Sequence, residues 1–597
     1  NVPPGNLGPA SECFVEAPGY PVKAHQPLNS LPYGRYWDKI GWDPGSAPDA
    51  PGWKTGLLCL NNPKQATSLA VCGFSKTEPC LLKTSRGDHG LQIRHTAIVS
   101  DRFKKGHSIE WQGQYLWFTH SPIMEFLNDF QAWYEKIGLN AVETPDWAKS
   151  ARIYEVFIGK GSKKPTKFSD MDTLIHDLER IKNLGFNTIQ IMPKRPYPSY
   201  SVADYYDVDV HYGSSDGLKR LVKKAHRMNM KILLDVVLHG VRDQEIKKGF
   251  GQLSKKHPYR IKHPEWFMET EFGTPAKTYT WSFDHANPDW QDFMVGVFKH
   301  YITEYDVDGF RVDALTWNIF PNWAKGLPYR ASESIYASSK LMKRVGTEIK
   351  KIKPEAILYS ETTGPLYAHS CHLSYNYDFQ WIFSALVPPI NDFAYVFASR
   401  KDKIDAADLG PWLDQQRLAK PKGSVTIHAL DSHDTHEWGG LLQYRREAFG
   451  ESASRALFAL CVALDGGIMV YQGAEDNAED YYKKLLGLFA DLPALSKGSG
   501  QYDSIHVDDR KVFTVLRIWE NQIIMPVINI SDRKTNISLS LPIEEMPLNQ
   551  DTFRIFDHMN DVHVNNESGE LWPKQMLTNI KLDLDSYQVK MLEISSA

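Results

Sequence analysis

The sequence predicts an α/β protein built around a (β/α)8 barrel, with β-rich regions before and after the barrel. Three observations lead to this fold class. Between about residues 150 and 500, short apolar strands alternate with amphipathic helices, as in parallel sheets whose strands are joined by helical crossovers. Eight strand–helix units can be counted there, and eight units close a barrel. The flanking regions instead show short alternating strands.

Length and composition limit the classes of protein to consider. A chain of 597 residues is too long for one hydrophobic core. A formal net charge of −4, with 23% charged residues, is typical of a globular protein and predicts no nucleic-acid partner. Aromatic residues make up 12% of the chain, which suits stacking on sugar rings as well as packing of large cores. No apolar run approaches the ~20 residues needed to cross a bilayer, so no membrane span is expected.

Cysteines are concentrated near the start of the chain. Of the six, Cys13, Cys59, Cys72 and Cys80 lie in the first eighty residues. One or two disulfides, or four buried thiols, would both fit this distribution. The chain begins at Asn1 rather than methionine, as if a leader had been removed or the start had been trimmed, and we expect a secreted or periplasmic location. No pattern in the sequence indicates an oligomeric state.

Residues 1–145 are predicted to form a separate β-rich domain. Alternating segments such as Gly56–Leu60 and Leu91–His95 favour a small β-sandwich. A helical stretch over Pro122–Tyr134 then leads to a junction at Pro145–Trp147. We identify no candidate catalytic residues in this region, so its role in substrate binding or in packing stays open.

The barrel is predicted within residues 146–499, and residues 500–597 are predicted to form a further β-rich domain. The expected barrel strands are Arg152–Ile158, Asn187–Met192, Lys231–Val237, Gly309–Asp313, Ile357–Glu361, a poorly marked strand near Tyr375–Phe379, Val425–His428 and Gly467–Tyr471. The expected helices include Met171–Leu184, Ser215–Arg227, Asp289–Tyr301 and Tyr481–Phe489. An insertion at about 241–288 follows the third strand. The C-terminal strands include Val512–Trp519 and Ile523–Asn529.

Charged residues close several of the predicted barrel strands, where barrel enzymes carry their chemistry. The residues in these positions are Asp235, Arg311, Asp313, Glu361, His433 and Asp434. Strand alternation places Arg311 and Asp313 on the same side, so the arginine can offset the cost of burying the carboxylate. Four carboxylates converging on one mouth would repel one another, which is difficult to explain as structure alone. The sequence therefore predicts an active site at this end of the barrel.

Taken in order, these segments resemble the sequence motifs of the α-amylase family. The four matching motifs are Asp235-Val-Val237, Gly309-Phe-Arg-Val-Asp313, Ser360-Glu361 and Ser432-His-Asp434, and two further segments are Tyr200–Tyr205 and Met469–Gly473. The resemblance covers roughly residues 150 to 500. It implies a TIM barrel, an insertion called domain B at about 241–288, and a C-terminal β-sandwich.

The resemblance implies a retaining glycoside hydrolase that cleaves α-glucosidic bonds in α-glucans or their oligosaccharides. In this scheme Asp313 is the nucleophile, Glu361 is the general acid and base, and Asp434 holds hydroxyls of the sugar. Binding or supporting roles are implied for Tyr200, Asp204, Asp235, His239, Arg311, Trp317 and His433. Two alternatives stay open: an α-glucan transglycosylase with the same catalytic residues, and a non-catalytic carbohydrate-binding homologue.

The first motif departs from the family pattern. It reads Asp235-Val-Val-Leu-His239-Gly240, where asparagine and histidine usually occupy the last two places. The asparagine commonly ligates calcium, and hard cations prefer oxygen ligands to imidazole. We therefore expect no domain-B calcium, and no metal or cofactor in catalysis.

The same departure bears on substrate choice, because the family's histidine commonly bonds the 6-hydroxyl of the attacked glucose. His239 could turn and replace this donor, or other residues could simply fill the gap. Strand alternation instead favours empty space beside Gly240, which would admit a 6-substituted or branched glucosyl unit. Two further differences are Leu315-Thr-Trp317 in place of a basic pair, and Ser432 in place of asparagine.

Overall fold

The computed structural model describes most of the chain from residue 115 onward and parts of the region before it. The described ranges are 12–16, 26–27, 36–37, 57–72, 80–87, 90–97, 99–106, 108, 115–121, 123–159, 166–195, 202–242, 257–277, 280–315, 318, 320–361, 363–376, 379–390, 404–437 and 442–597. Two predicted site residues, Tyr200 and Trp317, lie outside these ranges.

The N-terminal region contains two antiparallel sheets and a helix. Its strands are β1 (Phe14–Glu16), β2 (Gln26–Pro27), β3 (Tyr36–Trp37), β4 (Leu57–Asn62), β5 (Thr67–Cys72), β6 (Cys80–Gly87), β7 (Gly90–Ala97) and β8 (Tyr115–Thr119). One sheet has the order β2-β1-β4-β5-β8 and the other β3-β6-β7. Helix α1 (Ile123–Lys136) buries Phe126 and Phe130 in one apolar cluster with Cys59 and Cys72. These two cysteines are buried, which fits thiols and disulfides alike.

The central region contains a closed parallel barrel. Its strands are β9 (Arg152–Val156), β10 (Thr188–Ile191), β11 (Lys231–Val237), β12 (Gly240–Val241), β13 (Trp281–Ser282), β14 (Gly309–Asp313), β15 (Ile357–Ser360), β16 (Leu373–Tyr375), β17 (Val425–Ala429) and β18 (Gly467–Tyr471). All except β12 and β13 form the barrel in chain order, and β18 pairs with β9 to close it. The predicted TIM barrel is therefore confirmed.

The sixth barrel strand lies earlier than the sequence predicts. Strand β16 pairs Leu373 with Val425 and ends at Tyr375. Phe379, the predicted last residue of this strand, instead opens a helix and packs against Phe383 one turn later. The apolar residues after Tyr375 thus serve the helical layer rather than the barrel interior.

Helices lie before, between and after the barrel strands. They are α2 (Asp146–Lys149), α3 (Met171–Asn183), α4 (Val208–His211), α5 (Ser215–Arg227), α6 (Pro258–Lys262), α7 (Pro288–Tyr305), α8 (Ala337–Lys350), α9 (Pro365–Ala368), α10 (Phe379–Leu386), α11 (Leu409–Leu418), α12 (His433–Glu437), α13 (Arg445–Phe449), α14 (Glu451–Ala463), α15 (Glu479–Asp491) and α16 (Pro493–Ser496). Side-chain caps fix the start of the long ones: Asp170 accepts from Thr173 N before α3, and Asn287 accepts from Trp290 N before α7.

Alternation along the strands divides the apolar core into two layers. Inside the barrel, Ile153, Leu233, Tyr359 and Met469 belong to one cluster. On the outside, Tyr154, Ile189, Phe298 and other strand and helix residues form a much larger cluster. The barrel is thus a packed core rather than a pore, and polar side chains collect where the strands end.

The insertion after β11 contains the strand pair β12 and β13 and helix α6. Gly240 pairs with Ser282, and Val241 with Trp281, in antiparallel register. The side chain of Asn287, at the end of the insertion, donates a hydrogen bond to the carbonyl of Glu265 in the middle of the insertion. This strand pair brings residue 280 back beside residue 239, as described below.

The C-terminal region is a β-sandwich. Its strands are β19 (Ser499–Gln501), β20 (His506–Val507), β21 (Val512–Thr514), β22 (Leu516–Trp519), β23 (Gln522–Asn529), β24 (Thr535–Ser540), β25 (Thr552–Asp557), β26 (Val562–His563), β27 (Trp572–Pro573), β28 (Ile580–Leu584) and β29 (Val589–Ser596). A large sheet centred on β23, β29 and β25 faces a smaller sheet, β20-β24-β28, across a shared apolar cluster. The domain boundaries near 145 and 500 stay predictions. Among the described residues, no helix is both long and apolar enough to span a membrane.

Candidate active site

Arg311 links three carboxylates at the carboxyl end of the barrel. Its Nη1 atom lies 2.6 Å from both Asp235 Oδ2 and Asp313 Oδ1, and its Nη2 atom lies 3.1 Å from Glu361 Oε1. Asp235 belongs to β11, Arg311 and Asp313 end β14, and Glu361 directly follows β15. The structure thus brings these four residues together, because neighbouring parallel strands end at one mouth.

Burial changes the acidity of these carboxyl groups. Burial raises the pKa of Glu361 above its ordinary value; the charge of Asp313 adds to this effect and Arg311 opposes it. Burial likewise raises the pKa of Asp313, against the pull of Arg311. The pKa of Asp235 rises to about 7 for the same reason. The backbone N–H of Ala314 donates to Glu361 Oε2 at 2.5 Å, which fixes the orientation of this carboxyl.

A second charged group contains His433, Asp434 and Glu155. His433 Nδ1 lies 2.8 Å from Glu155 Oε1, and its Nε2 lies 3.5 Å from Asp434 Oδ1. Burial alone would lower the pKa of His433, but Asp434 and Glu155 raise it to about 9. Burial also raises the pKa of Asp434, with the charge of Glu361 adding to the effect. The two charged groups therefore lie close enough to influence each other, since the charge of Asp434 also raises the pKa of Asp313.

Glu155 is a site residue that the sequence analysis did not identify. It lies in β9 and its side chain is buried. Besides His433, it accepts a hydrogen bond from Gln190 Nε2 at 2.9 Å. The available signal was a single acidic residue within an otherwise apolar strand, Ile153-Tyr-Glu-Val-Phe157.

Comparison with known proteins agrees with this geometry. A family model described as the α-amylase catalytic domain matches residues 98–487, more than half of the chain. The chain belongs to the α-amylase family.

Individual relatives of this α-amylase-family chain are distant. The intracellular maltogenic amylase of Bacillus subtilis (strain 168) is 26% identical over 371 residues, or 56% of each chain. The 1,4-alpha-glucan branching enzyme GlgB 1 of Clostridium perfringens (strain SM101 / Type A) is 26% identical over 268 residues, 42% of this chain and 38% of the relative. The chain spans about half the length of the curated relatives it matches. A secreted or periplasmic location stays a prediction.

A solved structure shares the fold. The noncanonic maltogenic α-amylase AmyB from Thermotoga neapolitana superposes with a TM-score of 0.56 at 22% identity, covering 75% of this chain and 99% of that one. At this identity the likeness concerns the fold alone. It supports the (β/α)8 barrel as the frame that holds the carboxylates.

His239 departs from the position that strand alternation favoured. Strand β11 ends at Val237, so the alternation does not extend to His239. The ring is fully buried, with Nε2 at 3.4 Å from Asp313 Oδ2 and Nδ1 at 2.9 Å from Thr280 Oγ1. Burial lowers the pKa of His239 to about 3, so the ring is neutral at physiological pH.

The expected space beside Gly240 does not exist, and that prediction is wrong. A Cβ atom at Gly240 would lie 2.1 Å from the carbonyl oxygen of Trp281 and 2.8 Å from Thr280 Oγ1. The strand pair of the insertion fills the volume that we assigned to a substituted sugar. The geometry around Gly240 therefore provides no reason to expect a branched or 6-substituted unit.

The other predicted binding residues are placed less centrally. Asp204 is exposed; its Oδ1 accepts from the backbone N–H of Tyr206 at 2.9 Å and from the Tyr259 hydroxyl at 3.4 Å. It therefore links the turn before α4 to the insertion instead of joining the Arg311 group. Tyr200 and Trp317 lie outside the described residues, and their binding roles stay predictions.

Position 239 does not fit a calcium ligand. The ring of His239 contacts Thr280 and Asp313, and its carbonyl accepts from Phe283 N at 3.2 Å and from Asn318 Nδ2 at 2.8 Å. Two N–H donors thus already occupy the oxygen that could have bound the cation. Within the described ranges, no group of three or more His, Cys, Asp or Glu residues could hold a metal ion. Independence from metal stays a prediction.

Proposed function

We propose that this chain is a retaining glycoside hydrolase that cleaves α-glucosidic bonds in α-glucans or their oligosaccharides. The observation that carries the proposal is the convergence of Asp235, Asp313 and Glu361 on the single guanidinium of Arg311. Retaining glycosidases need two carboxyl groups close together, one ionised and one able to donate a proton. This site supplies both within one charged network.

Asp313 is suited to the role of nucleophile. Arg311 binds its Oδ1 atom at 2.6 Å, which aims the carboxylate and favours its charged form. In the first step an Asp313 oxygen bonds to the anomeric carbon while the glycosidic C–O bond breaks. In the second step water attacks the same carbon and the carboxylate departs. Two inversions at one carbon return the α-configuration.

Glu361 is suited to the role of acid and base. It gives its proton to the departing glycosidic oxygen and then takes a proton from the incoming water. Burial raises its pKa in the direction that an acid needs. In this mouth five carboxyl groups face two cationic side chains, Arg311 and His433. Mutual repulsion in a buried site therefore favours keeping a carboxyl group protonated.

Asp434 and His433 are suited to holding the sugar. Asp434 lies at the start of α12, beside the protonated ring of His433. A carboxylate there can accept hydrogen bonds from the sugar's hydroxyl groups as positive charge develops on the ring. Glu155 supports this arrangement by accepting a hydrogen bond from the His433 ring, and Gln190 in turn donates to Glu155.

The stereochemistry of the first product tests this proposal. Maltooligosaccharides and aryl α-glucosides should be cleaved, and NMR recorded within the first minutes should show the α-anomer first. A β-anomer as first product would exclude the double displacement. Absence of turnover on linear, α-1,6-linked and cyclic α-glucans alike would favour the non-catalytic alternative.

A transglycosylase is the second candidate, because one of the relatives is a branching enzyme. The same residues would serve, with a sugar hydroxyl replacing water in the second step. Products longer than the starting oligosaccharide, formed in excess of free reducing sugar, would favour this alternative.

A further inference from the structure

We propose that His239 hydrogen-bonds the second oxygen of the Asp313 carboxylate, and that Thr280 is a positioning residue that fixes the imidazole tautomer required for this bond. The inference rests on the proposed function, because it gives the nucleophile a second donor. It also explains why histidine and glycine occupy positions 239 and 240.

The tautomer follows from the two ring contacts. A neutral imidazole carries one N–H group and one lone pair. If the hydrogen were on Nδ1, the Nε2 lone pair would face Asp313 Oδ2 at 3.4 Å. Both atoms would then be hydrogen-bond acceptors and would repel each other. If Thr280 donates its hydroxyl hydrogen to Nδ1 at 2.9 Å, the ring hydrogen lies on Nε2 and points towards Asp313. Only the second arrangement is attractive at both ends.

The backbone around His239 is held from three sides. Its carbonyl accepts from Phe283 N of the insertion at 3.2 Å and from Asn318 Nδ2 at 2.8 Å. Asn318 also donates to the carbonyl of Phe283 at 2.7 Å. Residue 239 is thereby fixed between the end of β11, the returning insertion and the segment after β14. These bonds fix the main chain at residue 239, and turning the ring away from Asp313 would break its contact with Thr280.

Gly240 is part of the same arrangement. It pairs with Ser282, and a Cβ atom there would lie 2.1 Å from Trp281 O. Glycine therefore permits the close approach of the segment that carries Thr280. The donor on residue 239 depends on the absence of a side chain on residue 240, so the two departures from the family pattern form one structural unit.

The charge of His239 does not change in the working range of pH. Besides Asp313 at 3.4 Å, the cationic or titratable groups that influence it include His285, Arg242 and Arg311. The groups that influence Asp313 include Arg311, Asp434 and His433. With a pKa of about 3, His239 stays neutral while Asp313 titrates. Its effect on the pH profile therefore acts through Asp313: an N–H donor stabilises the carboxylate and lowers the pKa of Asp313 relative to a protein without that donor.

A matched pair of variants tests the inference. Thr280→Val removes the hydroxyl and keeps the shape, whereas Thr280→Ser keeps the hydroxyl. On an aryl α-glucoside, Thr280→Val should lower kcat about tenfold and shift the acidic limb of kcat/KM upward by about half a pH unit or more. Thr280→Ser should resemble wild type in both measurements, and KM should change little in either variant.

His239→Gln provides a second test, because a carboxamide can donate to Asp313 without an imidazole tautomer to be fixed. In this background, adding Thr280→Val should no longer shift the acidic limb. Melting temperatures show whether each variant folds. If Thr280→Val does not fold, the comparison of His239→Gln with His239→Ala decides. The glutamine variant should retain the acidic limb of wild type, and the alanine variant should not. Identical pH profiles for wild type and all folded variants would overturn the inference. That failure is distinct from failure of the proposed function, which would appear as a β-anomer as first product, as absence of turnover in wild type, or as activity retained without the Asp313 carboxylate.

Discussion

The carboxylate of Glu155 accepts two hydrogen bonds from His433, one from ring Nδ1 and one from the backbone N–H, both at 2.8 Å. Glu155 belongs to β9 and His433 opens the helix after β17, so this contact joins two strands that are not neighbours in the barrel. A buried histidine between Glu155 and Asp434 is thereby kept as an imidazolium ion.

This contact predicts how stability depends on pH. Burial alone would lower the pKa of His433, but its two carboxylate partners raise it to about 9 in the folded chain, against about 6.5 in an unfolded chain. The folded state therefore holds an extra proton between these pH values. The resulting stabilisation is fully present below about pH 6.5 and is lost as pH rises towards 9; it is worth roughly 3 kcal/mol.

Glu155→Gln should remove much of this pH dependence. Urea denaturation at pH 6 and pH 9.5 would give the free energy of unfolding of each protein. Wild type should lose more stability between the two pH values than Glu155→Gln does. Asp146→Asn is the matched control, because Asp146 pairs with Lys149 on the surface and should leave the difference unchanged. An equal pH dependence in wild type and Glu155→Gln would contradict this interpretation.

The nucleophile can be tested by an isosteric change. Asp313→Asn keeps the shape of the side chain and removes the attacking charge, so kcat should fall by about 10⁴-fold or more. Binding of a maltooligosaccharide, measured by calorimetry, should persist. Asp172→Asn is the control, since Asp172 pairs with Arg220 on the surface of α3 and should leave turnover unchanged. An Asp313→Asn variant with a tenth of wild-type turnover would rule out this assignment.

The acid can be tested by varying the leaving group. Glu361→Gln removes the proton donor, so cleavage of maltooligosaccharides, whose leaving groups are poor, should fall by about 10³-fold or more. Aryl glycosides with activated leaving groups need little protonation in the first step and should be spared more. Rate constants for both substrate types would decide, and equal losses would show that Glu361 is not the acid.

The sequence predicted those parts of the site that depend on local pattern. Arg311 and Asp313 share a strand, and period-two alternation places them on one side. Asp235 and Glu361 join them because a parallel barrel collects strand ends at one mouth. Each of these inferences needs only the strand itself and the order of strands along the chain.

Residues that depend on non-local contacts could not be placed in this way. The contact between His239 and Thr280 requires the strand pair of the insertion, which joins residues 41 positions apart in sequence. In the sequence Glu155 is only a single charged residue within an apolar strand. Its partner His433 lies 278 positions later, and only the fold brings the two together. The alternation rule also failed at Gly240, because β11 had already ended. Local periodicity carries no information about which distant segment returns to a given place.

The expected absence of a domain-B calcium predicts resistance to chelators. The His239 carbonyl already accepts two N–H donors, and its ring contacts Thr280 and Asp313. If no such ion contributes to stability, prolonged dialysis against EDTA should change the melting temperature by less than about 2 °C. A fall of many degrees that calcium alone restores would show that this prediction is wrong.

Gly240→Ala should destabilise the chain through backbone contact rather than through any effect on a bound sugar. The added Cβ would lie 2.1 Å from the carbonyl oxygen of Trp281, and this atom belongs to a backbone that cannot simply rotate away. Relief requires separating β12 from β13, which would also displace Thr280 from His239. We expect a loss of about 2–4 kcal/mol in the free energy of unfolding, with an activity loss on linear oligosaccharides similar to that of Thr280→Val.

Gly487→Ala is the matched control, because a Cβ at that position in α15 meets no atom within 4 Å, and alanine favours a helix. Urea denaturation of the two variants gives the comparison, and a Gly240→Ala variant as stable as Gly487→Ala would show that the insertion does not close tightly over residue 240.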